Sequence, residues 1–142
     1  MRLDRMVLQR LCTAGAAVVG TALISISVTC AFSPHAASKM YGVPSSDVAW
    51  ISSAGVRDFS LGFAVLALLR AQNIGALRIM IPCLAIVAVG DTCIVLQFGS
   101  GGLRAAAPHL LGGLALLIGS ILFRIAYEST KEHNLMQRKR NT

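Results

Sequence analysis

A chain of 142 residues leaves room for one domain. Its charged share of 13% is about half that of soluble globular proteins, hydrophobic residues make up 55%, and mean hydropathy is +0.68, which excludes an ordinary water-soluble globule and points to a membrane. The net charge of +7 does not make a nucleic-acid face, because the basic residues fall outside or between the apolar blocks.

Residues 1–10 form a cytosolic basic head, with Arg2, Arg5 and Arg10 against Asp4. Leu11 to Phe32 carry no charge, and about twenty apolar residues cross a hydrocarbon core. Thr29-Cys30-Ala31 resembles a cleavage site, but the run is longer than the roughly 7–15 residues of a signal core. A retained first span over about 11–32 is therefore expected. Thr13, Ala16, Gly20 and Ser27 share one side of it, a face suited to close helix packing. Pro34 marks its end.

Residues 33–47 connect to the next span, and Ala36 to Tyr41 has room for a short interfacial helix. Tyr41 and Trp50 suit headgroup depth, and Gly42 and Pro44 turn the chain back. The second span is expected over about 48–69, with Arg57 and Asp58 at its centre. The third, over about 77–98, contains Asp91 and places Pro82 in its first turns. Gly99-Ser100-Gly101-Gly102 follows no strand, so it is not a phosphate loop. The fourth span, over about 105–126, has Pro108 and His109 near its start. Together 11–126 make an all-α transmembrane four-helix bundle. Residues 127–142 are a basic cytosolic tail, expected to be helical at first and then disordered.

Charge sets the orientation. Ten Lys/Arg fall on the side of the two termini, and only Lys39 and Arg104 on the other. By the positive-inside tendency both termini are cytosolic, which agrees with an even number of spans. The expected location is multi-pass in an endomembrane or plasma membrane. Cys12, Cys30, Cys83 and Cys93 form no CxxC and read as small hydrophobes within helices.

Full charges at bilayer depth are costly, so they face inward and find partners. At 100° per residue, Asp58 shares a face with Ala54, Gly55 and Gly62, while Arg57 lies beside Ser53, Ser60 and Ala64. Val56, Phe59, Phe63 and Leu66 form the arc left for lipid. Asp91 sits with Leu84, Val87, Ala88 and Val95, and His109 with Gly112, Gly113, Leu116 and Ser120. At about 1.5 Å per residue, Arg57 and Asp58 lie near the midplane, with Asp91 and then His109 closer to the non-cytosolic face. The expectation is an Arg57–Asp91 pair, or a network Asp58–Arg57–Asp91–His109, with Thr92 and Gln97 as further donors. Arg57, Asp58, Asp91 and His109 are the candidate catalytic residues.

Two acids against one arginine leave a negative charge that a shared proton or a bound cation would resolve. One histidine and acids at different depths make a poor metal ligand set, and no cofactor is expected. Cys93 is two residues from Asp91 and points away from it.

The segments Ser33-Pro34-His35-Ala36-Ala37, Tyr41-Gly42-Val43-Pro44, Gly55-Val56-Arg57-Asp58-Phe59, Gly90-Asp91 and His109-Leu110-Leu111-Gly112-Gly113 come in an order that resembles a known family. It is that of the small four-helix membrane proteins of filamentous fungi grouped as domain of unknown function 4267, within the DoxX-like group. The resemblance covers about residues 11–126. It implies a four-helix bundle, a fungal source, and Arg57, Asp58, Asp91 and His109 as motif positions, with no assigned activity. Fungal tailoring enzymes of secondary metabolism offer an analogy alone.

Three functions fit these residues. One is a cofactor-free enzyme acting on a lipophilic small molecule, with His109 and an acid moving protons and Arg57 stabilising a developing oxyanion. A proton-linked transport protein is the second. The third is an accessory subunit whose charges lock the helices. Expected partners are the bilayer, a lipophilic small molecule, and a second copy through the small-residue faces; nucleic acid is not among them.

Overall fold

The computed structural model describes residues 5–43 and 47–140. Arg2, Asp4 and Pro44, and the end of the tail at 141–142, lie outside them. The described chain is all-helical: α1 Arg5–Phe32, α2 Pro34–Met40, α3 Val48–Arg70, α4 Ile74–Phe98 and α5 Gly102–Arg140. Four of the five are long and apolar enough to cross a membrane, and only the seven-residue α2 is not. The protein is thus a small multi-pass membrane protein by the length and composition of its helices.

Local chemistry sets the boundaries. Pro34 opens α2 at a position where its missing N–H costs nothing, so this helix starts two residues before the expected Ala36. Asp47 caps α3, its Oδ1 accepting from the backbone N–H of Ala49 at 3.0 Å and of Trp50 at 3.2 Å. Asn73 caps α4 by accepting from Ala76 N–H at 3.0 Å. That cap moves the start of α4 back to Ile74, so Pro82 lies two turns inside the helix rather than in its first turns. There it removes the N–H that the Arg78 carbonyl would otherwise accept from.

The longest helix, α5, has 39 residues, roughly 58 Å at about 1.5 Å each. The tail is therefore helical through Arg140, in place of the disorder expected for its end. From Ile121 onward the sequence has no Gly or Pro to stop the helix. Near its emergence the helix is tied to α4: the Arg78 guanidinium lies 4.1 Å from the Tyr127 ring centroid and 3.6 Å from Glu128 Oε1.

The chain runs up α1, down α3, up α4 and down α5, and packs most closely as the pairs α1–α3 and α4–α5. The first pair meets through glycines. A Cβ on Gly62 would stand 2.7 Å from the Gly20 carbonyl oxygen, and one on Gly55 2.6 Å from Cys30 Cβ. Such close approach is typical of small-residue membrane interfaces. The packed face of α1 is Leu8, Cys12, Ala16, Gly20 and Cys30, so Thr13, expected on it, is instead exposed. On α3, Val56, Phe59 and Phe63 are exposed as expected, but Leu66 packs over Gly20. Cys12 and Cys30 are buried, while Cys83 and Cys93 are exposed.

Two apolar clusters hold the ends. Cys12, Val65, Leu77, Ile81 and Phe123 belong to the larger one, and Cys30, Ala37, Tyr41 and Ile51 form the smaller one beneath α2. Consecutive helices α3 and α4 pack only lightly on each other. On the α2 side, that light packing leaves a cleft between them.

Candidate functional site

Three of the four sequence-predicted residues meet in one ion network. Arg57 donates from both terminal nitrogens to Asp91, at 2.9 Å to Oδ1 and 3.0 Å to Oδ2. Its Nε donates to Asp58 Oδ1 at 2.9 Å. The planar guanidinium fits this task, because its fork matches a carboxylate and its Nε–H remains for the second acid. Asp58 and Arg57 are adjacent on α3, so they point to neighbouring sides: Asp58 turns inward, with its side chain 4% exposed, and Arg57 turns across to α4, with 37% exposed.

Tyr41 completes the network. Its hydroxyl donates to Asp58 Oδ2 at 2.5 Å, and Cys30 Sγ lies 3.8 Å from the same hydroxyl. The residue is buried, contrary to its expected place as a headgroup anchor. Burial first, and then the Asp58 carboxylate, push the Tyr41 phenol pKa well above its ordinary value. The backbone explains how Tyr41 gets there. Gly42 ends α2 at φ +73°, a left-handed turn, and a Cβ there would meet Val95 Cγ1 at 2.9 Å.

His109 joins by a different route from the expected one. Its Nε2 lies 3.2 Å from the Tyr41 carbonyl oxygen, so Nε2 carries the proton in that contact. The rings of Tyr41 and His109 lie nearly parallel, with centroids 6.3 Å apart and planes 11° apart. His109 is therefore linked to the network through the Tyr41 main chain, not through a hydrogen bond to Asp91. The turn at Gly42 brings that carbonyl within reach of α5. Of the other expected donors, Thr92 bonds back to the Ala88 carbonyl of its own helix at 2.8 Å, and Gln97 is exposed.

Two cavities flank these residues. The outer one is the cleft between α3 and α4, about 230 Å³, with Trp50, Ser53, Arg57 and Ile94 on its walls. The inner one, about 180 Å³, lies among all four long helices and is lined mainly by apolar residues, with Asp58 on its wall. Tyr41, Asp91 and His109 line both, so they form the partition between them.

Chemically, the arrangement offers a fixed positive charge, two carboxylates and an imidazole beside an apolar space. Arg57 uses three of its five N–H donors in the network, which leaves two. With Nε2 spent on the carbonyl, Nδ1 is the acceptor nitrogen of a neutral His109. Among the described residues no three His, Cys, Asp or Glu side chains gather as a metal site.

Sequence reasoning missed Tyr41. A signal for it existed in Tyr41-Gly42: an aromatic residue followed at once by a glycine able to adopt a left-handed turn. No curated protein and no solved structure matches the chain. The family model described as a domain of unknown function (DUF4267) matches residues 20–123, which takes in α2, Tyr41, Arg57, Asp58, Asp91 and His109, and the chain belongs to that family.

Proposed function

We propose that this protein is a four-helix bundle, with both termini cytosolic, that takes a lipophilic small molecule into the outer cleft. It acts on that molecule by proton transfer at His109 without a cofactor. The fungal source and DoxX-like kinship implied by the resemblance are part of the same proposal. One observation carries it. Arg57 holds two carboxylates yet keeps more than a third of its side chain exposed, and it lines the cleft. A charge serving only to fasten helices is best sealed from any ligand, whereas this one borders an open space with two N–H donors to spare. In this reading His109 Nδ1 takes a proton from the bound molecule, and the Arg57 donors stabilise the oxyanion that develops.

A helix lock is the second reading, and it too has a specific observation. Among the described residues no buried side-chain N or O atom lacks a hydrogen-bond partner. The Arg57–Asp91 pair also bridges α3 and α4 where their packing is light.

Trp50 separates the two. It is the only tryptophan in the chain and lines the cleft, so its fluorescence reports on occupancy. Titration of the purified protein in nanodiscs with lipophilic ketones is expected to shift or quench that emission saturably. A protein whose Trp50 emission is indifferent to every such compound, and whose Arg57→Lys variant merely unfolds more readily, is a lock.

A further inference from the structure

We infer that the cleft selects lipophilic molecules carrying a protonated amine. This rests on the proposed ligand site and names the class of ligand it takes. The first ground is charge. Arg57 brings one positive charge to a network with two carboxylates and hydrogen-bonds to both, Asp91 at the cleft and Asp58 behind it on the inner cavity. Asp91, with its side chain 17% exposed, lines the cleft. A carboxylate oxygen accepts more than one hydrogen bond, so pairing with Arg57 leaves Asp91 able to accept from a ligand.

The second ground is the aromatic wall. Tyr41, Trp50 and His109 all line the cleft, and Trp50 stands edge-on to Tyr41 with ring centroids 6.1 Å apart. An organic cation seated beside the acid gains from the negative face of any ring it lies over. The neutral His109 tautomer adds Nδ1 as an acceptor.

The third ground is volume. Pockets for drug-sized ligands run to roughly 300–1,000 Å³. The 230 Å³ cleft falls below that range, and the Tyr41–Asp91–His109 partition stands between it and the 180 Å³ inner cavity, so the cleft fits a compact ligand. The nitrogen sits at the acidic wall of the cleft, and the apolar body lies against Val43, Ala54, Ile94 and Val95.

The test uses three ketones with one apolar body and one variable end: dimethylamino, isopropyl or carboxylate. Isopropyl matches the shape of dimethylammonium without its charge. Each is titrated into the full-length protein in uncharged phosphatidylcholine nanodiscs near pH 7, with Trp50 fluorescence as the readout. The amino ketone is expected to bind at least tenfold more tightly than the isopropyl ketone, with the carboxylate weakest. Asp91→Asn, checked for native helicity by circular dichroism, is expected to abolish the difference. Isopropyl binding as tightly as the amine overturns the charge inference and leaves the ligand site standing. The carboxylate binding best also overturns it, with Arg57 as the dominant charge. No response to any of the three overturns both the inference and the site. The wild-type comparison needs no variant, so a misfolded Asp91→Asn does not blunt the test.

Discussion

Arg57 on α3 and Asp91 on α4 form a two-pronged ion pair, with both terminal nitrogens within 3.0 Å of the carboxylate oxygens. It links two helices that otherwise pack lightly, and Arg57 holds Asp58 at the same time. Removing the guanidinium therefore takes the ion-pair partner from Asp91 and leaves Asp58 to the Tyr41 hydroxyl alone. Arg57→Ala is expected to cost about 3 kcal/mol, the lower end for breaking a buried pair, since Arg57 is partly exposed. Arg57→Lys keeps the charge but loses the fork, so it is expected to recover only part of that loss. Reversible unfolding in mixed micelles measures both. Equal stability of wild type and Arg57→Ala contradicts the assignment.

This pair was legible in the sequence because two rules converge on it. Charges in an apolar span need partners, and helix rise puts Arg57 and Asp91 at similar depth. Tyr41 was not legible, because an aromatic residue near the end of a span reads as an interface anchor. Its contact with Asp58 depends on how α2 folds back, and that depends on the Gly42 turn and on packing against Val95. The partner of His109 is a backbone carbonyl, which leaves no mark in the sequence. Likewise the four apolar helices were plain from length and hydropathy. That α1 and α3 make the tight pair followed only from the meeting of Gly20 with Gly62.

Tyr41→Phe tests the missed residue. It deletes a hydrogen bond to a buried carboxylate, with an expected loss of about 1.5–3 kcal/mol. The same contact has a sign in pH. The native state keeps the phenol proton that an unfolded chain releases near pH 10. This contribution is therefore complete below about pH 10 and falls away as pH rises above it. In a Tyr127→Phe background, the ultraviolet titration of Tyr41 is expected to lie above the value of a free tyrosine. Ionisation at the ordinary pH in folded protein contradicts the burial.

The glycines predict opposite outcomes by position. Gly62→Val puts side-chain atoms where a Cβ already meets the Gly20 carbonyl at 2.7 Å, so α1 and α3 must part, with an expected loss of about 1–3 kcal/mol. Gly42→Ala sits at positive φ and is expected to cost about 1–2 kcal/mol. Gly15→Ala meets nothing within 4 Å and is expected to gain about 0.5–1 kcal/mol from helix propensity. Thermal unfolding of the three variants side by side checks the order.

Orientation has its own test. An N-glycosylation acceptor placed in a lengthened 99–102 loop is expected to be modified in microsomes, and one appended after Thr142 is not. The reverse pattern contradicts cytosolic termini.

Proton transfer at the cleft is the central chemistry of the proposed function. The measurement is deuterium incorporation at the α-carbon of lipophilic ketones in heavy water, followed by mass spectrometry with protein in nanodiscs. Wild type is expected to exceed empty nanodiscs, and His109→Ala is expected to lose about 10²–10⁴-fold, the usual range for a general acid or base, while keeping native helicity. Equal incorporation by wild type, folded His109→Ala and empty nanodiscs contradicts the proposed chemistry.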